Sequence, residues 1–438
     1  MSGIMLNVVG GSFATVPGAP TIGTATATGA TTATVSYTAP ISDGGSIILS
    51  YTATSSPGGL TGTLSQAGSG TITVNGLSAN TAYTFTVTAT NAIGTSAPSS
   101  ASNSITIPGS DIAIGNDFPN QFAYVYPWVT GTGFGTKYAD PASSTGGYIN
   151  TNSVKFSSAG TTLVVGAGSG PPGITAYPFI SGTGLGVKYA NPSAGFVNGY
   201  GPAFNPSINA VAIGGSVSPY VNAWAWSSGF GAKYADPATL PPALVGQVAW
   251  NPAGTVIATA HNNTMASVYD WSSGFGSKYA DPASVPCANA GTVSWNNNGT
   301  YIAFGDQYTS PYVVAYPWSS GFGSRVSNPA TLPNSGVTSV QFNSAGTAIA
   351  VAEQASPFID VYAWSSGFGS KYANPSTLPP GLGFSASFNA AGNTIALGGA
   401  NSPFISVYPW SPGFGSKYAN PSTLPVGGAR GVSFAGTF

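Results

Sequence analysis

Tyr269-Asp-Trp-Ser-Ser-Gly-Phe-Gly-Ser-Lys-Tyr-Ala-Asp-Pro282 is one of seven near-copies of a single sentence. The others begin at Tyr126, Tyr177, Trp224, Tyr316, Tyr362 and Tyr408. The third aromatic of each copy falls at Trp128, Phe179, Trp226, Trp271, Trp318, Trp364 and Trp410, so successive copies stand 45 to 51 residues apart. A period of that length marks an array of one supersecondary unit, each copy burying its apolar face against the next.

The unit around Tyr269 reads as four short strands. Gly246–Asn251 and Val256–Thr259 flank the turn Pro252-Ala-Gly254, and Ser267–Trp271 and Phe275–Ala280 flank Ser-Ser-Gly. Asp281-Pro282 ends the last strand, because proline cannot donate to a ladder. Seven such units predict an all-β, seven-bladed β-propeller over residues 111–438. Asp111-Ile-Ala-Ile-Gly115 matches a second strand with no first strand before it, and Gly431–Gly436 matches a first strand with no second after it. The strand 431–436 is therefore expected to complete the first blade and remove two open sheet edges.

Upstream, residues 1–16 read as a lead, anchoring segment and 109–110 as a linker. Residues 17–108 alternate as a sandwich does, with strands predicted at Thr32–Thr38, Ile47–Thr54, Thr71–Val74 and Tyr83–Thr90, separated by Gly/Pro/Asp turns. Pro17-Gly-Ala-Pro20, Val35–Pro40, Ser50–Thr54, Leu77–Tyr83 and Val87–Gly94 resemble a fibronectin type III domain. The resemblance implies that Tyr83 is the tyrosine corner, that Tyr37 stands in for the core tryptophan, and that the module is a spacer or binding platform. The run Val340–Val351 with Phe358–Tyr362 looks like a divergent tryptophan–aspartate-repeat blade without the Gly-His and Trp-Asp dipeptides.

Composition narrows the chemistry. Lys and Arg total 9, Asp and Glu 10, with net charge −1 and 4% charged residues. Nine scattered cations make no phosphate-tracking surface, which excludes nucleic acid as a main partner. No apolar run reaches the ~18 residues of a membrane span, and the N-terminus lacks the basic region of a signal peptide. One cysteine, Cys287, excludes an internal disulfide framework, and one histidine, His261, makes no metal cluster. No cofactor or metal is expected.

The recurring cations Lys137, Lys188, Lys233, Lys278, Arg325, Lys371 and Lys417 read either as edge-strand charges or as contacts to an anionic surface. Asp or Asn three residues later caps the turn before proline. The Gly-x-Gly pairs, Gly133/Gly135 through Gly413/Gly415, read as turns. The tryptophan row reads as packing between blades, with carbohydrate stacking as the lesser reading. Asp117, Asp306 and Glu353 are placed in loops between second and third strands, and a paired-acid mechanism would need two of them a few ångströms apart, with Asp306 and Glu353 in neighbouring units. No catalytic residue is assigned.

An almost uncharged Ser/Thr/Gly surface without an export signal leads to one functional expectation. It is a non-enzymatic structural or display protein of a bacteriophage virion, released at host lysis. It would be present in multiple copies and attached to capsid or tail proteins through the lead segment and sandwich, with a host glycan as a possible propeller contact. The alternative is a secreted or cell-surface carbohydrate-binding lectin, and the third reading is a propeller glycoside hydrolase.

Overall fold

The computed structural model describes residues 13–29, 32–77, 81–107, 111–117, 123–141, 151–168, 170–193, 198–285 and 289–436. Cys287, the linker 109–110 and most of the lead segment lie outside the described residues. The chain divides into two compact units, Met1–Pro108 and Gly109–Phe438. No helix is present among the described residues.

In the first unit Thr21–Gly29, Thr32–Thr38 and Gly70–Asn75 form one sheet. Thr61–Leu64, Ile48–Ser56, Ala82–Asn91 and Ile105–Thr106 form the other. Alternate residues of these strands are buried, because side chains on a pleated strand point to opposite faces. Tyr37 is buried in the core of this unit. Its ring centroid lies 4.2 Å from that of Tyr51, and its hydroxyl donates to the Gly68 carbonyl at 3.1 Å. The N–H groups of Phe85, Val87 and Ala89 donate to the hydroxyls of Ser102, Ser99 and Ser96. A spacing of three replaces the ladder's two, so the last strand is regular only at Ile105–Thr106.

The described strands of the second unit fall into seven blades of antiparallel sheet. Their innermost strands are Ala429–Phe434, Thr151–Phe156, Gly199–Phe204, Val245–Trp250, Ala290–Trp295, Val337–Phe342 and Gly383–Phe388, for blades 1 to 7. Each innermost strand packs beside the next, and the seventh beside the first. Ala429–Phe434 pairs with Ile112–Asn116, Phe434 opposite Ile112 and Ala429 opposite Asn116. Second strands such as Val256–His261 and Ala348–Glu353 are buried along their whole length, sandwiched between neighbouring blades.

The fourth strand is unequal, and proline explains why. Blades 3, 4 and 6 carry four-residue outer strands, Phe230–Lys233, Phe275–Lys278 and Phe368–Lys371. There the residue between the paired aromatics of the third strand is Ala225, Asp270 or Ala363. In blades 1, 2, 5 and 7 it is Pro127, Pro178, Pro317 or Pro409. The first two of those blades keep only two-residue outer strands, and the last two keep single bridges, Trp318 with Phe322 and Trp410 with Phe414. A proline there has no N–H to offer the outer strand.

Candidate functional site

In blades 4, 5 and 6 the first residue of the innermost strand lies opposite the last residue of the second: Val245 and His261, Ala290 and Asp306, Val337 and Glu353. The second-strand ends, the loops after them and the segments joining blades therefore share one face.

Asp306 and Glu353 do not lie in loops, as the sequence suggested. They end the second strands and are fully buried. Pairing runs through to the carboxylates because each accepts backbone N–H groups from a joining segment, and Asp306 also from the loop that follows it. The Oδ2 of Asp306 accepts from Asn289 at 2.8 Å, and its Oδ1 from Tyr308 at 2.7 Å and Thr309 at 2.8 Å. That grip holds Tyr308, a residue that is 70% exposed. The Oε2 of Glu353 accepts from Asn334 at 2.7 Å and Ser335 at 3.2 Å, while its Oε1 is buried without a hydrogen-bond partner. Burial, then the charge of Asp360, pushes the Glu353 carboxyl up to about 7. Blades 5 and 6 meet closely here: a methyl added at Gly336 would sit 1.8 Å from the Gln307 carbonyl oxygen.

The recurring cations are tied to their own turns. Lys137, Lys188, Lys233, Lys278, Arg325 and Lys417 each reach the Asp or Asn three positions on. Lys371 alone turns inward, its Nζ 2.6 Å from the Oδ1 of the buried Asp360. Tyr362 follows it, donating to the Oδ2 of Asp360 at 3.2 Å. The equivalent hydroxyls of Tyr126, Tyr269, Tyr316 and Tyr408 donate instead to the carbonyls of Thr423, Thr239, Ser284 and Thr377. Burial raises the Asp360 carboxyl, and Lys371 pulls it back. The sequence reading assigned Asp360 no role. Its signal was positional, since the equivalent residues are Tyr124, Thr175, Asn222, Ser267, Val314 and Ser406.

The tryptophan row is packing. The tyrosine after the recurring lysine meets the aromatic of the next blade edge-on, as Tyr234 meets Trp271 at 5.1 Å and Tyr372 meets Trp410 at 5.1 Å. The boundary of blades 5 and 6 departs from this. Val326 takes the tyrosine's place, and Tyr301 meets Trp364 instead at 5.3 Å. So the site that holds Tyr308, Glu353 and Asp360 lies where the repeat is broken.

Asp117, just past its strand, accepts from the Nε of Arg430 at 3.0 Å. Arg430 and Lys155 are the two cations outside the outer-strand register, and both lie on innermost strands. His261 is fully buried, with Nε2 3.1 Å from the Ser267 hydroxyl, and burial lowers its pKa. No group of three His, Cys, Asp or Glu among the described residues could hold a metal ion.

The comparisons with known proteins bear on the fold. A structure from Bacteroides uniformis named as a 6-phosphogluconolactonase covers 74% of this chain and 98% of its own, at 14% identity and TM-score 0.55. One from Bacteroides fragilis with the same name covers 74% and 97%, at 11% identity and TM-score 0.54. The periplasmic gluconolactonase of Pseudomonas aeruginosa covers 74% and 98%, at 13% identity and TM-score 0.56. No curated protein shows a significant sequence match. At these identities the likeness shows a propeller-like fold, one that named enzymes also use. It overturns the expectation of a non-enzymatic virion component, for which neither fold nor comparison offers any support. Residues 18–105 match the fibronectin type III domain, so the chain carries that domain ahead of its propeller-like unit.

Proposed function

We propose that this chain is a carbohydrate-binding protein of the lectin type, secreted or held at a cell surface, whose ligand sits over the boundary of blades 5 and 6. The observation that carries the reading is Tyr308. It is an exposed aromatic ring whose backbone is clamped by a buried carboxylate, with Gln307, Asn334 and Gln354 beside or across from it. A flat apolar ring among amide donors and acceptors suits the mixed apolar and hydroxylated faces of a sugar. The likeness to sugar-lactone proteins is consistent with that ligand class. The pairing of Ala429–Phe434 with Ile112–Asn116, and the circular order of the innermost strands, support one closed seven-bladed propeller as the scaffold. The fibronectin type III domain would act as its spacer or platform.

The test is a glycan array probed with the full chain. Saturable binding to a defined glycan, lost in Tyr308→Ala at unchanged melting temperature, supports the proposal. Binding that survives Tyr308→Ala, or no binding across the array, defeats it.

A second reading, hydrolysis of a sugar lactone, rests on Glu353, a buried carboxyl held near neutrality on the same face. Proton release from gluconolactone above the spontaneous rate, abolished in Glu353→Gln, would select it over pure binding.

A further inference from the structure

The repeats agree closely where they pack and disagree at one register position. In six blades the second residue of the innermost strand falls at a register shift, as Arg430, Gly246, Gly291, Thr338 and Phe384 do. A bulge re-aims the side chain it carries and occurs often beside functional sites. In blades 4 and 5 that residue is glycine and in blade 6 threonine. At the seam between blades 7 and 1 it is phenylalanine beside arginine.

The Arg430 guanidinium lies 4.0 Å above the Phe384 ring centroid. Its Nε donates to the Oδ2 of Asp117 at 3.0 Å. Gly428 leaves the room this needs, since a methyl there would stand 3.0 Å from both the Asp117 Oδ2 and the Phe384 Cε2. The guanidinium is thus fixed on one face by the stack and along one edge by the carboxylate. Among the described residues its two Nη nitrogens meet no acceptor, and the side chain is 43% exposed. A plain seam ion pair needs neither the stack nor the glycine. A guanidinium held with its outer N–H bonds free is built to take two oxygens of one anion side by side.

We propose that Arg430, Phe384 and Asp117 form an oxyanion subsite at the seam of blades 7 and 1, taking the carboxylate of a sugar acid or the phosphate of a sugar phosphate. Arg430 supplies the paired donors, Phe384 the platform, and Asp117 the orientation. The sugar part of the ligand rests on the function proposed above; the oxyanion part does not.

The experiment is titration calorimetry on the full chain with gluconate, glucose 6-phosphate, inorganic phosphate and glucose, in the wild type, Tyr308→Ala, Arg430→Gln, Arg430→Lys and Phe384→Leu. The anions are expected to bind the wild type and Tyr308→Ala alike, and to lose roughly tenfold or more in Arg430→Gln. Arg430→Lys keeps the charge but not the fork, and Phe384→Leu keeps the fork but not the platform, so both should weaken binding by a smaller factor. Binding of gluconate alone identifies a carboxylate ligand. Binding of glucose 6-phosphate and phosphate identifies a phosphate ligand. Equal anion affinity in wild type, Arg430→Gln and Phe384→Leu, or no binding of any anion at millimolar concentration, overturns the proposal. Loss of glycan binding in Tyr308→Ala with anion binding intact separates this inference from the glycan reading.

Discussion

Lys371 closes on Asp360, Nζ to Oδ1 at 2.6 Å, with the carboxylate wholly removed from solvent. Its six counterparts close on an Asp or Asn three positions along their own turn. The two arrangements use the same lysine position and differ in what water can reach. An exposed pair gives up little when broken, whereas a buried carboxylate that loses its cation is left uncompensated. Lys371→Met should therefore cost about 3–5 kcal/mol in urea unfolding. Lys278→Met, whose partner Asp281 is 51% exposed, should cost about 0–1 kcal/mol. Adding Asp360→Val to Lys371→Met should restore most of the loss. A loss in Lys371→Met no larger than in Lys278→Met would show that the burial of Asp360 carries no energetic weight.

Glu353 makes stability depend on pH in a definite direction. Its folded-state carboxyl is raised to about 7 from a model-compound value of 4.5. The folded protein holds that proton more tightly than the unfolded chain. The stabilisation is fully present below the unfolded value and disappears as pH rises through about 7. Its size is on the order of 3 kcal/mol. The midpoint of chemical unfolding should fall between pH 5 and 8 in the wild type and stay nearly level in Glu353→Gln. Parallel pH curves for the two proteins would rule out this origin.

The proline rule for outer strands predicts opposite effects in two blades. Ala363→Pro should shorten the outer-strand ladder of blade 6 and cost about 1 kcal/mol, the net worth of a backbone hydrogen bond. Pro317→Ala should lengthen the outer strand of blade 5. Amide exchange read at Phe322–Ser324 would show it as slowed exchange in the variant, and unchanged exchange would refute it.

Removing Ala429–Phe434 exposes both Ile112–Asn116 and the flanks of two blades. The truncated chain should lose its cooperative melt and aggregate, because an unpaired strand edge templates association. A monomeric truncation with unchanged melting would contradict the role given to this strand.

The period and the seven sentences made the repeat architecture legible, because packing positions such as Tyr269, Trp271 and Lys278 are used the same way in each blade. The C-terminal fragment Gly431–Gly436 could be paired with Asp111–Gly115 by its incompleteness alone. The site was harder to read. Asp306 and Glu353 were picked out as carboxylates, but their burial follows from backbone donors that arrive from the joining segments, which no spacing rule announces. Asp360, Arg430 and Phe384 carried only a positional signal. Each is the odd residue at a register that the structure first defines, and a bulge that shifts the register hides it from simple alignment of the copies.

Arg430 and Asp117 are 313 positions apart in sequence. The strand that completes the first blade follows the six other blades in sequence. Ile112–Asn116 makes one ladder with its sequence neighbour Tyr124–Tyr126 and the other only with that distant strand. The first blade is therefore finished by a latch, and whatever anion Arg430 holds would press on that latch. Occupancy of the seam would oppose its opening by mass action, so ligand and fold lock each other at the same strand.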